Sequence, residues 1–245
     1  MNSSPSLKLL NNEVHVCCAS LYQQSQHLAE FLSLLCTDEK SRAERFYFER
    51  DRNRFIIGRG ILRTILSSYL DVEASRLEFV YNPYGKPALK TLFTDKVLQF
   101  NLSHSKDLAI YVFTWNRRVG IDLEYVHAMP DINHFAEQFF SPRESEFIDS
   151  LAGKQKLGAF FKIWTCKEAF LKANGSGLIT PINQAEVSLM AGGTAHLTTI
   201  GDDPQQAACW HLESFAPAIG YQASIAIEGH DWQMKFRQLD DYLIQ

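Results

Sequence analysis

The chain has 245 residues, of which 46% are hydrophobic and 21% are charged, a composition typical of an ordinary globular protein. This length is enough for one large core or two modest subdomains. The formal net charge of -4 argues against a general nucleic-acid-binding protein, because such proteins carry a basic excess. No run of 18 or more apolar residues occurs, so we expect no membrane-spanning helix.

The cysteines and the N-terminal segment indicate a compartment. The five cysteines are odd in number and have no CxxC or metal-ligand spacing. They therefore read as reduced thiols of a cytoplasmic protein. The first residues, MNSSPSLKLLNNEV, lack a basic stretch followed by a sustained apolar run, so no secretory signal is predicted.

The first half of the chain predicts helices followed by strands. Residues 27–70 have helical periodicity, and RFIIGRGILRTILSSYL has apolar residues at near-3.6 spacing. LEFVYNPYGKPAL predicts a strand, a Pro/Gly turn and a short extended run. VLQFNLSHSKDLAIYVFTW predicts two strands joined at a polar corner, Ser-His-Ser-Lys-Asp.

The second half repeats a similar order. RRVGIDLEYV alternates with period two, and the next two predicted helices are FFSPRESEFIDSL, with Ser141 as N-cap, and LGAFFKIWTCKEAFLKAN. AEVSLM and CWHLESFAPAIGYQASIAIEG are strand-rich, while the last residues fit either helix or strand. We therefore predict an α+β fold with two α+β subdomains, residues 1–117 and 118–245 including the C-terminal tail.

The stretch WTCKEAFLKANGSGL places a carboxylate and an ammonium four residues apart. On a helix, Glu168 and Lys172 share one face, and Gly175 and Gly177 provide a helix stop. The ordinary interpretation is a surface ion pair on a capped helix. A second interpretation, a functional pair, depends on what the rest of the chain brings to the same place.

GIDLEY supplies two more carboxylates. Strand geometry puts Asp122 and Glu124 on the same face, roughly 6.5 to 7 Å apart at Cα. A solvated outer face of an antiparallel sheet explains the pair equally well. With Glu168 as a third oxygen ligand, the set would suit a hard cation such as Mg²⁺, and Mn²⁺ as well.

Polar residues at two predicted turns could contact an anion. Ser103 and His104 lie in the polar corner, where hydroxyl and imidazole groups can donate to phosphate oxygens, although such corners also bond their own backbone. Lys86 follows a glycine in YGKP, which is not a Walker-type phosphate loop. The arginines between Lys40 and Arg54 alternate with acids, and most of them are expected on a solvated helix face.

Taken together, FNLSHS, VGIDLE and FFKIWTCKEAFLKANGSGL resemble the signature of the 4'-phosphopantetheinyl transferases, in the larger, pseudo-dimeric, monomeric class. YGKP, DRNRFIIGRGILR and FFSPRE fit the same family in order and spacing, over about residues 37–180. The resemblance implies two similar subdomains, each with a helix packed on a small antiparallel sheet. They are related by a pseudo-twofold axis, and the active site lies in the cleft between them.

The resemblance also implies a reaction and its residues. Such enzymes transfer the 4'-phosphopantetheine of coenzyme A to a serine of an acyl or peptidyl carrier protein. Asp122, Glu124 and Glu168 match the Mg²⁺ ligands, with Glu168 as the base and Lys172 as a second catalytic residue facing the phosphates. The matching coenzyme A contacts are Arg54, Lys86, Ser103, His104, Lys167 and Lys172.

Carrier docking is expected on the segment from Val126 to Phe140, with Met129, Ile132 and Phe135 as an apolar patch. The expected partners are coenzyme A and a carrier protein, with no nucleic acid and no membrane, and the expected state is a monomer. Two alternatives remain open: another Mg²⁺-dependent phosphodiester hydrolase using the same carboxylates, and a non-catalytic module that binds coenzyme A.

Overall fold

A computed structural model describes residues 8–90, 95–175, 182–190 and 192–243. Within these ranges the first half contains three helices and five strands before residue 116. The strands are β1 (Glu13–Ser20), β2 (Phe79–Tyr81), β3 (Pro87–Leu89), β4 (Leu98–Ser105) and β5 (Leu108–Trp115). The helices are α1 (Leu28–Leu34), α2 (Thr37–Glu44) and α3 (Glu49–Leu70).

The second half begins with strand β6 (Val119–Tyr125). The helices that follow are α4 (Ile132–Phe139), α5 (Pro142–Asp149), α6 (Gly153–Asn174), α7 (Pro204–Ala207) and α8 (Asp240–Leu243). The remaining strands are β7 (Ala185–Leu189), β8 (Ala195–Ile200), β9 (Trp210–Phe215), β10 (Tyr221–Glu228) and β11 (Gln233–Arg237). Among the helices described, none is long and apolar enough to cross a membrane.

Two sheets face each other across the middle of the molecule. The first has the strand order β11-β1-β5-β4 and the second has the order β6-β10-β9. Their facing sides form one apolar layer, to which β1 contributes Val14 and Val16 and β6 contributes Ile121 and Leu123. Because successive side chains of a strand point to opposite faces, the same strands also present a second, outward face.

Each outward face is covered by a 22-residue helix. Helix α3 packs on the first sheet through residues such as Ile61 and Ile65, with Tyr111 and Phe113 beneath them. Helix α6 packs on the second sheet through residues such as Phe170. The layers therefore run α3, sheet, sheet, α6, and the predicted α+β fold with two helix-on-sheet units is confirmed.

Helix boundaries follow the predicted signals. At the start of α5, Ser141 accepts a hydrogen bond from the Glu144 amide and Pro142 occupies the first helical position. Gly175 ends α6 in the left-handed region, with φ of 72°. Gly177, the second predicted stop residue, lies outside the described residues.

The C-terminal tail departs from the predicted division of the chain. The expected boundary after residue 117 falls in the turn between β5 and β6. However, β11 pairs in parallel with β1, and Leu239 and Tyr242 pack in the core of the first half. The placement of the whole tail in the second subdomain is therefore wrong. A composition-based boundary could not detect this return, because the pairing is between residues from opposite ends of the chain.

Strand β6 and helix α6 are in backbone contact at Gly120. A Cβ atom placed there would lie 2.1 Å from the Ala169 carbonyl oxygen and 2.3 Å from the Ala173 nitrogen. Real Cβ atoms do not approach backbone this closely, so only glycine fits. The approach brings the acidic residues of β6 next to the polar face of α6.

We expect Gly120→Ala to lower the free energy of unfolding by about 1–3 kcal/mol or more, since backbone must move to admit the methyl group. Chemical denaturation would measure the change. Gly158→Ala is the matched control: it lies in the same helix α6 with open space around its Cβ position. Its stability should stay equal or rise by up to about 1 kcal/mol. Equal losses for the two variants would contradict a special contact at Gly120.

Candidate active site

The candidate site lies where β4, β6 and α6 meet. Side chains of β4 bond across to β6 at each step: Asn101 accepts from the Ile121 amide at 2.9 Å, and Ser105 Oγ accepts from the Tyr125 amide at 3.0 Å. Ser103 Oγ donates to Asp122 Oδ1 at 3.0 Å. These bonds join the two halves of the molecule edge to edge beside the acidic strand.

Lys172 bonds to Asp122 rather than to the carboxylate four residues before it. Its Nζ donates to Asp122 Oδ1 at 2.5 Å and to Ser103 Oγ at 3.0 Å. Asp122 is only 3% exposed, so the ion pair is shielded on the carboxylate side. The surface pair between Glu168 and Lys172 is therefore not formed, although both residues face the same region.

The three carboxylates influence one another. Burial, followed by the Asp122 charge, raises the pKa of Glu168, and the nearby Lys172 ammonium opposes this shift. Burial and Asp122 likewise raise the pKa of Glu124, whose Oε2 accepts from Ser105 Oγ at 3.2 Å. A concentration of partly buried negative charge of this kind is relieved by a cation.

The donor set fits Mg²⁺ in its chemistry. Asp122 Oδ2 is buried and has no hydrogen-bond partner, which is the state expected of an oxygen that accepts a metal. Glu124 and Glu168 would be the other ligands. Within the described residues, no three acidic, histidine or cysteine side chains already converge in ligand geometry. The other oxygen of Asp122, Oδ1, accepts the hydrogen bond from Lys172 Nζ.

A cleft of about 710 Å³ opens beside these residues. Its walls include Arg54 and Phe55 of α3, His104 of β4, and Glu168 and Lys172 of α6. The predicted site residues that reach it therefore come from both halves of the chain. A cavity of this size accommodates a ligand as large as a nucleotide.

Basic groups line one end of the cleft. Arg54 pairs with Asp107 at 2.6 Å through Nη2 and with Asp51 at 3.4 Å through Nη1. His104 lines the cleft, and partial desolvation there, followed by the charges of Lys172 and Arg54, lowers the pKa of its imidazole. The lowered pKa favours the neutral imidazole of His104 in the free protein, and an incoming anion would favour the charged form.

Lys86 also lines the cleft, but its ammonium bonds to the protein. Nζ donates to the Val119 carbonyl at 3.2 Å and to the Ala173 carbonyl at 3.1 Å. Burial, helped by Arg118, lowers its pKa to about 8. Lys86 is therefore in contact with both β6 and α6.

Lys167 is not in the position expected of a coenzyme A contact. Its side chain is fully buried and pairs with Glu144 at 2.6 Å, and its Nζ also donates to the Ala185 carbonyl. Glu144 in turn accepts from the Val187 amide at 2.7 Å. On a helix, neighbouring residues point about 100° apart, so Lys167 and Glu168 lie on different sides of α6. The predicted contact with coenzyme A is wrong for this residue.

Ser103 and His104 lie in a strand and not in a polar corner. Strand β4 continues through Ser105, and the turn to β5 consists of Lys106 and Asp107 alone. The side chains of Ser103 and His104 point to opposite sides of β4, as strand geometry requires. Ser103 is buried where β4 meets β6, and His104 is exposed at the cleft. Only His104 lines the cleft directly.

The predicted docking patch is divided between core and surface. Ile132 is 9% exposed and belongs to the core of the second half, while Met129 packs partly against that core. Phe135 is 40% exposed and stacks with Phe139 at 6.2 Å between ring centroids. The expectation that Ile132 is a surface anchor is wrong, because α4 buries that face against the core.

Two residues near the site, Asn82 and Arg59, were not predicted, and Ser105 was predicted only as part of the polar corner, with no role of its own. Asn82 in the turn before Lys86 donates to the Gly175 carbonyl at 2.8 Å. Ser105 is two positions after Ser103, so strand alternation could have placed both on one face. Arg59 lines the cleft while its Nε lies 3.2 Å from buried Glu39. The only signal for Arg59 was its position on the helix that carries Arg54.

Comparisons with known proteins match both halves of the chain. The family described as the 4'-phosphopantetheinyl transferase superfamily matches residues 118–229. A second family, described as 4'-phosphopantetheinyl transferase, N-terminal, matches residues 22–114. These two ranges meet at the turn between β5 and β6, where the structure passes from the first sheet to the second.

Individual relatives extend over most of the chain. The 4'-phosphopantetheinyl transferase HetI of Nostoc sp. is 43% identical over 95% of this chain and 94% of its own length. A putative 4'-phosphopantetheinyl transferase of Synechocystis sp. is 34% identical over 79% of this chain and 76% of its own. The 4'-phosphopantetheinyl transferase Sfp of Bacillus subtilis is 26% identical over 82% of this chain and 86% of its own length. Because identity to HetI extends over nearly the whole chain and both halves match models of this family, this chain belongs to the 4'-phosphopantetheinyl transferase family.

Proposed function

We propose that this protein transfers the 4'-phosphopantetheine group of coenzyme A to a serine of an apo carrier protein, releasing adenosine 3',5'-bisphosphate. The observation that carries the proposal is the junction of Asp122, Lys172 and Glu168 at a nucleotide-sized cleft, in a chain of this family. The carrier is an acyl or peptidyl carrier protein, and the enzyme acts as a cytoplasmic monomer. Its five free cysteines fit a reducing compartment.

Four polar residues at the site have tasks in binding coenzyme A. Arg54 and His104 form the basic end of the cleft and would receive the 3'-phosphate of the substrate. Lys172 lies between the cleft and the acidic strand, where its ammonium can donate to the diphosphate. Ser103 contributes indirectly, because its hydroxyl holds Lys172 and Asp122 in register.

The transfer itself is a displacement at phosphorus. The serine oxygen of the carrier forms a bond to the phosphorus next to pantetheine, and the bond from that phosphorus to the adenosine bisphosphate leaving group breaks. Glu168 takes the serine proton, a role that its partly buried, raised-pKa carboxylate fits. Lys172 stabilises negative charge on the leaving phosphate. A Mg²⁺ ion, or Mn²⁺, held by Asp122, Glu124 and Glu168, would neutralise the diphosphate when bound.

Intact-mass measurement of an apo carrier protein, incubated with this protein, coenzyme A and Mg²⁺, tests the reaction. We expect a mass gain equal to one phosphopantetheine group on the carrier. Glu168→Gln should reduce the rate by about 10²-fold or more, since the variant has no base and one metal ligand fewer. Omitting the metal should have a comparable effect.

Two other outcomes would replace the proposal. Release of phosphopantetheine without any carrier would indicate a Mg²⁺-dependent phosphodiester hydrolase that uses the same carboxylates on water. Binding of coenzyme A with no transfer to any of several acyl and peptidyl carriers would indicate a non-catalytic binding module.

The pH dependence of coenzyme A binding tests the role of His104. Its pKa is lowered in the free protein, and a bound phosphate would raise it, so binding takes up a proton. The affinity for coenzyme A, measured without metal, should therefore rise as the pH falls from the His104 pKa of the complex to that of the free protein. The rise should be up to about tenfold per pH unit. In His104→Asn, the part of this pH dependence that comes from protonation of His104 should disappear. An unchanged slope in the variant would exclude His104 from the phosphate site.

Carrier docking is best tested at Phe135, the exposed member of the predicted patch. Phe135→Ala should raise KM for the carrier by about threefold or more, as expected when an interface aromatic is truncated, with the Kd for coenzyme A unchanged. Phe147→Ala, an exposed phenylalanine of neighbouring α5, is the matched control. Ile132→Glu would bury a carboxylate in the core and report on folding instead. Equal carrier kinetics in the two phenylalanine variants would remove α4 from the interface.

A further inference from the structure

The hairpin formed by β2 and β3 extends from the first half of the chain to the end of helix α6. Its turn is organised by Asn82, whose Oδ1 accepts from the amides of Tyr84 and Lys86 at 3.0 and 2.9 Å. Gly85 adopts φ of 83° in this turn, a conformation that favours glycine. The turn therefore presents the Lys86 side chain in a fixed direction, towards the second half.

Two polar groups of this turn bond to the C-terminal end of α6, one within its last turn and one at the residue that follows it. Asn82 Nδ2 donates to the Gly175 carbonyl at 2.8 Å, and Lys86 Nζ donates to the Ala173 carbonyl at 3.1 Å. Carbonyls at a helix C-terminus lack partners within the helix and carry partial negative charge. An amide donor and a cation at this end therefore stabilise the helix terminus from outside.

The same ammonium also bonds to the acidic strand. Lys86 Nζ donates to the carbonyl of Val119, the first residue of β6, at 3.2 Å. Strand β6 carries Asp122 and Glu124, two of the candidate metal ligands, and α6 carries the candidate catalytic residues Glu168 and Lys172. One side chain of the first half thus connects both elements on which the chemistry of the second half depends.

We propose that Lys86 is a positioning residue, whose simultaneous bonds to β6 and to the end of α6 set the spacing between Asp122 and the Glu168–Lys172 face of the helix. The inference rests on the proposed transferase function. It differs from the coenzyme A contact expected at this position, because two of the three Nζ donors are directed at protein carbonyls. A shift of about 1 Å in catalytic geometry can reduce a rate by about 10²-fold without weakening substrate binding.

The two roles separate in the kinetics of Lys86→Met, which keeps the length of the side chain and removes its donors. Positioning predicts a kcat at least about tenfold lower, with the Kd for coenzyme A within about threefold of wild type. Lys86→Arg, which keeps several donors on a stem of similar length, should return kcat to within about threefold of wild type. A direct phosphate contact predicts the opposite split: weaker coenzyme A binding with kcat unchanged at saturation.

Lys90→Met is the matched control. Lys90 lies directly after the same hairpin and pairs with exposed Glu78 at 2.6 Å. Its loss should leave kcat and coenzyme A binding at wild-type values. A Lys86→Met variant that behaves like Lys90→Met would overturn the proposal. If Lys86→Met does not fold, Lys86→Gln, which keeps an amide donor, is the second variant. Its kcat should be lower than that of Lys86→Arg but above zero. A wild-type kcat in Lys86→Gln would also overturn the positioning role.

Hydrogen–deuterium exchange separates this inference from the transferase function itself. Amides of Val119–Tyr125 and of residues 168–175 should exchange faster in Lys86→Met than in Lys90→Met, because the bonds that restrain both elements are removed. If the wild-type protein modifies no carrier, the proposed function fails while this comparison still decides the role of Lys86. Identical exchange in the two variants would show that Lys86 does not restrain β6 and α6.

Discussion

The contact between β6 and α6 at Gly120 determines where the functional groups of this protein lie. Because no side chain separates the two backbones, the polar face of α6 comes within hydrogen-bond distance of Asp122. A larger residue at Gly120 would separate the ammonium of Lys172 from its carboxylate partner. The electrostatics of the site therefore depend on a packing constraint, in which a missing methyl group allows a charge pair to form.

The two halves are held together by different kinds of interaction on their two sides. Between the sheets, apolar side chains such as Val16, Val112 and Ile225 form a continuous buried layer. Along the β4–β6 seam, by contrast, Asn101, Ser103 and Ser105 make directional bonds to the neighbouring strand. Burial of apolar surface stabilises the interface between the two halves, while the hydrogen bonds fix the position of β4 relative to β6. The candidate site lies at the junction of β4 and β6, where these hydrogen bonds fix the positions of its side chains.

Features encoded by local pattern could be predicted from the sequence. The two long helices follow from 3.6-residue periodicity, the cap of α5 from Ser141, and the acidic strand from alternation in GIDLEY. The family followed from motif order. Side-chain direction within a motif was harder to predict: Lys167 and Glu168 are adjacent, yet one is buried with Glu144 and the other lines the cleft. This outcome depends on which neighbouring element supplies a partner, and Glu144 and β7 are distant in sequence.

Ile132 and the C-terminal tail show the same limit. An apolar residue in a docking segment fits a surface patch or a core equally well, and only the packing of α4 decides between them. The pairing of β11 with β1 is set by contacts between residues such as Glu13 and Gln233, which no local signal connects.

This pairing has a consequence for synthesis of the chain. Strand β1 leaves the ribosome well before β11, the strand that covers its edge. Until β11 arrives, the first sheet has an open row of backbone donors and acceptors along β1, a surface that other strands can pair with. Closing that edge requires contacts between residues more than 200 positions apart, such as Glu13 and Gln233, which makes it a late and slow event in folding. The nascent protein is therefore most exposed to strand-mediated association after its first sheet has formed and before β11 is added.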